Sequence, residues 1–536
     1  MGASATLKKV QRKFKLRSLT LNREALNEVT TFLTNFSEEQ EDEYLDLLLN
    51  QIEQTTLKKS VLDKEVVRPI VELLLEADAA IDTGKSCSNE GALRIVDAFL
   101  VPKLSYDPIK KTFYEYTGNL PIHGDASSKV ALYRERYQLL NQRLLRNSDF
   151  SRPAFDTDIT RSGGELIPIQ ALIGCTGRRW IMGVISQMED GHFFLEDLTA
   201  AVEIDLSNAK ITTGFFVENT IILAEGELHP NGVFQVHTCG FPPLEDGNAS
   251  LAVHTGLDFF GAGYLTPEET ARLVELEKKA VNDMFVILSD VWLDNEETME
   301  KLAAVLDGYE NVEVVPSLFV FMGNFCSRPC NLAFNSYSSL RSQFAKFGEM
   351  IAAHPRLKEG SRFLFIPGPE DAGPSTVLPR CALPKYLTDE LLNHVPNAIF
   401  SSNPCRIRFY TQEIVFFRRD LLYRMRRSCL IPPSKDETDD PFGHLVATIT
   451  HQSHLCPLPL TVQPILWNYD HCLRLYPAPH TIVLADNCKQ QVFKQEIRKN
   501  NKTLQIITCF NPGSFSCDST FVAYRPCNQE VELSAL

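Results

Sequence analysis

The spacing of apolar residues changes twice along this 536-residue chain, and that change limits what it can fold into. Up to about residue 75, apolar residues recur at helical spacing. Leu26, Val29, Phe32, Leu33 and Phe36 form one stripe, Tyr44, Leu48 and Ile52 a second, and Val66, Ile70 and Leu73 a third. Ser37 with Gln40, and Ser60 with Asp63, stand where side chains satisfy the free N–H groups of a helix start. Pro69 lacks an amide hydrogen and marks a bend. From residue 166 to about 241 the spacing shortens to that of strands, in runs at 166–173, 180–187, 192–195, 202–206, 220–228 and 233–238. Gly177, Gly191, Gly226 and Gly232 punctuate them, and short strands at this interval predict a small closed barrel. From about residue 284 strands (284–289, 312–322, 362–366, 445–450, 481–484, 504–509) alternate with helices (296–306, 338–353), which predicts an α/β domain with a large sheet. The expected fold is multidomain α+β: a small helical domain over 1–75, a linker and mixed segment over 76–165, a barrel over 166–270 and an α/β domain over 271–536.

The net charge of −15 disfavours a dedicated DNA-binding protein, because phosphate backbones repel an acidic chain unless its basic residues are segregated. It favours protein partners. The 14 cysteines are scattered and often sit beside apolar residues, as at Cys175, Cys239, Cys456 and Cys509, which fits a reducing compartment. Cys326 and Cys330, and Cys509, Cys517 and Cys527, are not spaced as a structural zinc site, so buried or free thiols are expected. No apolar run approaches the roughly 20 residues that cross a bilayer, and no membrane partner is expected.

Several local patterns have two readings. The basic, acid-free stretch from Lys8 to Arg23 reads as a solvated arm or as a mitochondrial presequence. The acids between Glu38 and Asp46 make one helix face negative, either solvated or a docking surface. Gly84-Lys85-Ser86 ends like a phosphate loop, but Ala79 stands where the first glycine is needed and the preceding segment is helical in pattern. Val130, Tyr133, Tyr137, Leu140 and Leu144 line one helix face, with Arg134, Arg136, Arg143 and Arg146 expected to be solvated around it.

Functional groups in an α/β sheet lie where strands end. Four strand ends here resemble the calcineurin-like metallophosphoesterases, whose two metals are held by Asp-x-His, Gly-Asp, Gly-Asn-His-Asp/Glu, a lone His and Gly-His-x-His. In Ser289-Asp290-Val291-Trp292, Asp290 matches but Trp292 replaces a ligand, and an indole N–H cannot bind a cation. In Gly323-Asn324, Asn324 replaces the bridging carboxylate. In Gly368-Pro369-Glu370-Asp371, Pro369 replaces the metal-binding Asn and Glu370 the His that would protonate a leaving group. His451 and His454 are candidates for the fourth motif, and His480 alone for the fifth. The frame survives without its ligands, so no cofactor and no catalytic residue are expected. An active phosphoesterase or nuclease with atypical ligands is the competing reading.

The run GVISQMEDGHFFLEDLTAAVEIDLS (183–207) resembles the early strands of an oligonucleotide/oligosaccharide-binding (OB) barrel. Its acids, between Glu189 and Asp205, and its paired Phe193, Phe194, Phe215 and Phe216 favour protein packing over single-strand binding. An OB barrel followed by a phosphoesterase-like domain without ligands is similar to the B subunits of eukaryotic replicative DNA polymerases. SNPCRIRFYTQEIVFFRRDL (402–421) and THQSHLCPLPLTVQPILWNYDHCLRLYPAPHTIVLADN (450–487) resemble the epsilon type, which also begins with a helical domain like the lid of AAA+ ATPases. The resemblance implies a nuclear, non-catalytic subunit. It would grip the C-terminal region of the polymerase epsilon catalytic subunit, reach replicative helicase components through the N-terminal domain, and meet DNA mainly through the complex.

Overall fold

The structure is a computed structural model. It describes residues 92–147, 150, 166–189, 191–330, 334–373, 376–433, 440–499 and 502–536, with scattered positions among the first ninety. Two compact units divide at Glu90 and Gly91.

In the first unit, Val10, Phe14, Ala25, Val29, Leu45 and Leu48 are helical and fully buried. Ala25 and Val29 are four apart, Leu45 and Leu48 three apart, so each pair shares a helix face. The Asn22 side chain accepts a hydrogen bond from the Ala25 amide at 2.7 Å and so caps a helix start. The purely helical expectation is corrected at one point: Thr20–Leu21 pairs in parallel with Val61–Leu62. The third stripe, the pairs Ser37 with Gln40 and Ser60 with Asp63, Pro69, Gly84-Lys85-Ser86 and most of both two-sided charge patterns lie outside the described residues.

In the second unit, strands Arg179–Glu189, His192–Glu196, Ala201–Asp205, Val233–Gly240 and Ile221–Leu228 pair in that order, and Ile221–Leu228 returns to Arg179–Glu189 to close a barrel. Closure leaves no free edge among these five. Ile181, Ile185, Leu195, Ile204, Ile222, Ala224, Phe234 and Val236 point inward. Residues 166–173, expected to be a strand, make one bridge from Leu166 and then a 3₁₀ turn, Ile169–Leu172, after Pro168.

The α/β region holds two sheets rather than one. In the first, Ala398–Phe400, Arg362–Ile366, Leu318–Met322 and Phe285–Ser289 run parallel, followed by antiparallel Thr520–Arg525 and Glu530–Ala535. The second has the order Gln491–Lys499, Lys502–Asn511, Thr481–Ala485, Gln412–Arg418, Cys405–Phe409, Leu93–Asp97. The sheets face each other across Phe285, Ile287, Leu318, Val320, Leu364, Ile407, Phe416 and Val483. Helices Glu296–Glu310, Phe334–Ala352 and Lys385–His394 cover the outer face of the first sheet, and Pro441–His451 that of the second. Strands covered on both faces read as near-continuous apolar runs, as in LFVFM and in FLFI after Arg362.

Residues 445–450, expected to be a strand, belong to the helix Pro441–His451. Asp440 caps it by accepting from the Phe442 amide at 3.0 Å, Pro441 opens it, and burial all round hides its helical period. Leu93–Asp97 is an edge strand of the second sheet, paired with Cys405–Phe409. Among the described residues no helix is long and apolar enough to cross a membrane.

Candidate functional site

The parallel strands of the first sheet end in register at Ser289, Met322 and Ile366, and those of the second at Arg418 and Ala485. The loops that follow converge, and they carry Asp290, Asn324 and Asp371, as the sequence predicts. Asp290 has a left-handed backbone (φ 55°). Its Oδ1 accepts from the Asn324 amide at 3.0 Å. Both Asp371 oxygens are taken by main chain, Oδ1 from the Phe325 amide and Oδ2 from the Gly368 amide, each at 2.7 Å. Burial raises the Asp371 carboxyl above its ordinary range despite those two N–H donors. Asn324 Oδ1 accepts from the Glu370 amide at 3.0 Å. Arg380 donates to the carbonyls of Pro369 (3.0 Å) and Asp371. Glu370 is exposed and Pro369 buried, while Trp292 is half-buried with its amide bonded to Ser516 Oγ at 2.9 Å. Gly323 is required at the closest approach, because a Cβ there would lie 1.9 Å from Asp371 Oδ2.

The centre of the cluster is a residue the sequence motifs did not single out. Arg418, 1 % exposed, donates Nη2 to Asp290 Oδ1, Nη1 to Asp420 Oδ1 and Nε to the Gly323 carbonyl, each at 2.7 Å. Nη1 also reaches the Ala485 carbonyl at 3.2 Å. Burial works against this cation, but Asp290 and Asp420 outweigh it, and its pKa rises above the ordinary arginine value. The partner Asp420 is held low: burial would raise it, and the Arg418 charge prevails. Asn403 locks the backbone beneath, accepting from the Arg418 amide at 3.1 Å and donating to its carbonyl at 2.7 Å. An arginine closing the apolar run IVFF is the signal that marks the position in sequence.

The donor set does not fit a two-metal centre. Asp290 Oδ1 is engaged by a guanidinium and an amide, both Asp371 oxygens by amides, and Asn324 supplies no anion. The three histidine assignments are corrected. His480 precedes the Thr481–Ala485 strand, at the end opposite Ala485, where its Nδ1 accepts from the Glu413 amide at 3.0 Å. His451 Nδ1 lies 2.9 Å from the Pro242 carbonyl. His454 lies 3.2 Å from Asp470 Oδ1. Burial, the largest influence on each, lowers both His451 and His454 to about 4, so both are neutral near pH 7. The second-sheet loops at the site carry Arg419, Asp420, Asp486 and Asn487 instead.

The helix Ala126–Arg146 also departs from expectation. Arg136 and Arg143 are buried, not solvated. Arg136 Nη2 meets Asp470 at 2.5 Å, and Arg143 donates to Ser453 Oγ at 2.6 Å and to the carbonyls of His451 (2.7 Å) and Pro242 (3.2 Å). Arginines placed two turns apart look like a solvated face until partners far away in sequence, such as Asp470, are brought against them.

A sequence profile for the B subunit of DNA polymerase alpha/epsilon matches residues 285–495, and one described as DNA polymerase epsilon subunit 2-like, OB-fold domain, matches residues 126–243. A third, described as DNA polymerases epsilon N terminal, matches residues 3–73. The molecule is thus a mixed α/β protein with an OB barrel, of the class of polymerase B subunits. The DNA polymerase epsilon B subunit of Arabidopsis thaliana is 65% identical over 536 residues, covering 100% of both chains. DNA polymerase epsilon subunit 2 of Homo sapiens is 36% identical over 534 residues, 98% of this chain and 97% of that one. The DNA polymerase epsilon B subunit of Schizosaccharomyces pombe is 28% identical over 516 residues, 88% and 86% of the two chains. The chain belongs to the family of DNA polymerase epsilon B subunits.

Proposed function

We propose that this chain is a non-catalytic scaffold of DNA polymerase epsilon in the nucleus, built on a calcineurin-like phosphoesterase fold that has lost its chemistry. It binds the C-terminal region of the catalytic subunit through its barrel and sandwich, and residues 1–75 tether the assembly to replicative helicase components. The observation that carries the non-catalytic reading is Arg418, whose guanidinium holds Asp290 from inside the protein. Two stacked sheets flanked by helices, with the degenerate motifs at their strand ends, support the phosphoesterase ancestry. The family of the relatives supports the assembly role.

Permanent assemblies bury about 2,000 Å² or more of largely apolar surface, and such contacts are weakly sensitive to salt. Co-expression with the catalytic C-terminal region and gel filtration therefore yield a complex that survives about 0.5 M salt. Removal of residues 1–75 leaves that complex intact. Dissociation at high salt refutes the apolar grip, and loss of binding on that truncation refutes the tether. The pure protein shows no manganese-dependent hydrolysis of phosphomonoesters, phosphodiesters or single-stranded DNA. Turnover abolished by Asp290→Ala establishes the phosphoesterase reading instead.

A further inference from the structure

The stretch from Arg418 to Arg427 concentrates positive charge in a chain whose net charge is −15. Arg418 is taken by Asp290 and Asp420. Among the described residues, Arg419, Arg424, Arg426 and Arg427 form no ion pair with a carboxylate. Arg419 is only 4 % exposed, and its Nε is buried without a hydrogen-bond partner. Burial and the neighbouring Arg424 lower its pKa to about 10, and nearby Asp420 offsets only part of that. Among the described residues, the Arg424 side chain donates to the Val462 carbonyl at 3.2 Å.

The helix Leu422–Arg427 presents Tyr423, Arg426 and Arg427 at positions i, i+3 and i+4, hence on one face, and all three are exposed, Tyr423 by 69 %. Arginines at a helix C-terminus are favourable by themselves, which accounts for Arg426 and Arg427. It does not account for a buried arginine whose Nε has no hydrogen-bond partner, or for an exposed tyrosine beside the two. The next strand, Cys429–Ile431, pairs with Phe216–Val217, so this face stands where the barrel segment joins the sandwich.

We propose that Tyr423, Arg426 and Arg427, backed by Arg419 and Arg424, form a binding site for single-stranded nucleic acid, with a base stacked on Tyr423 and backbone phosphates held by the arginines. An acidic peptide would use the arginines but has no need of an exposed ring. A stacking ring among arginines is what single strands require, since every base has a flat face and every linkage a charge. The site is separate from the OB barrel and does not depend on the assembly role.

The test is fluorescence anisotropy of the full chain with a labelled oligothymidylate of about 20 nucleotides over a salt series. Tyr423→Ala weakens binding at least about fivefold with no change in the salt slope, because a stacked base is lost and no phosphate contact. The Arg426→Ala/Arg427→Ala double variant reduces the slope of log affinity against log salt by about 1.4, two counter-ions at about 0.7 each. Both variants alter exposed side chains, and unchanged melting establishes that they fold. Arg178→Ala, on the barrel, leaves affinity and slope as in the parent. No binding by the parent chain at about 50 mM salt overturns the proposal. So does an unchanged affinity in Tyr423→Ala, or displacement by polyglutamate as effective as by oligonucleotide, which would mark an acidic-peptide site.

Discussion

Replacing Arg418 by methionine removes the cation but keeps most of the side-chain volume. Three bonds of 2.7 Å disappear, and Asp290, 5 % exposed, loses its counter-ion. An uncompensated buried charge costs about 3–5 kcal/mol. Asp420, whose side chain is 37 % exposed, adds no more than about 1 kcal/mol because water screens it. Unfolding entropy of about 2.1 cal/mol/K per residue over the unit Gly91–Leu536 amounts to about 0.9 kcal/mol/K, so its thermal transition falls by about 3–6 °C. The assay is a melt of the full chain, following the transition of that unit separately from any transition of the first. Asp290→Asn then supplies the diagnostic. Asparagine tolerates the left-handed backbone and still accepts from the Asn324 amide, but it needs no cation. The double variant Arg418→Met/Asp290→Asn recovers at least half of the loss, a coupling of about 2 kcal/mol. A drop below about 1 °C for Arg418→Met, or strictly additive single and double variants, would refute the internal counter-ion.

Gly323→Ala forces a methyl group to 1.9 Å from Asp371 Oδ2 and 2.4 Å from the Gly368 nitrogen, so it destabilises by at least about 3 kcal/mol; equilibrium denaturation with a parent-like midpoint contradicts the crowding. His451 has a folded pKa of about 4, below its unfolded value, so its contribution is complete above about pH 6.5 and is lost as pH falls towards 4. The stability advantage of the parent over His451→Asn therefore shrinks by about 1.4 kcal/mol per pH unit through that window, and a pH-independent difference in denaturant melts would show that the imidazole is not held neutral. Rebuilding the motif residues with Trp292→His, Asn324→Asp and Pro369→Asn together yields no stoichiometric manganese by elemental analysis, because Arg418 still holds Asp290. Uptake by that triple variant would mean that the arginine does not block the site.

The barrel and the alternating α/β segment were legible from sequence because their signals are local. Short apolar runs at 180–187 and 220–228 mark strands, and Gly191 and Gly232 set where strands turn, whereas Gly226 lies inside Ile221–Leu228 at a register shift. The strand ends at Asp290, Asn324 and Asp371 were legible for the same reason, as each follows a short, largely apolar run. Local period could not resolve residues 445–450, which are buried on all sides, so a helix and a strand read alike there. Neither could it divide the α/β region into two sheets, or reveal that Leu93–Asp97 joins the second across more than 300 residues. The histidines were misassigned because spacing along the chain does not say which end of a strand a residue occupies. Only tertiary packing brings Arg418 against Asp290 and Arg136 against Asp470. Sequence determined which residues stand at the strand ends; tertiary structure decided what they face. A buried charge is settled by the partner that folding delivers to it, and that partner lies far away in the chain.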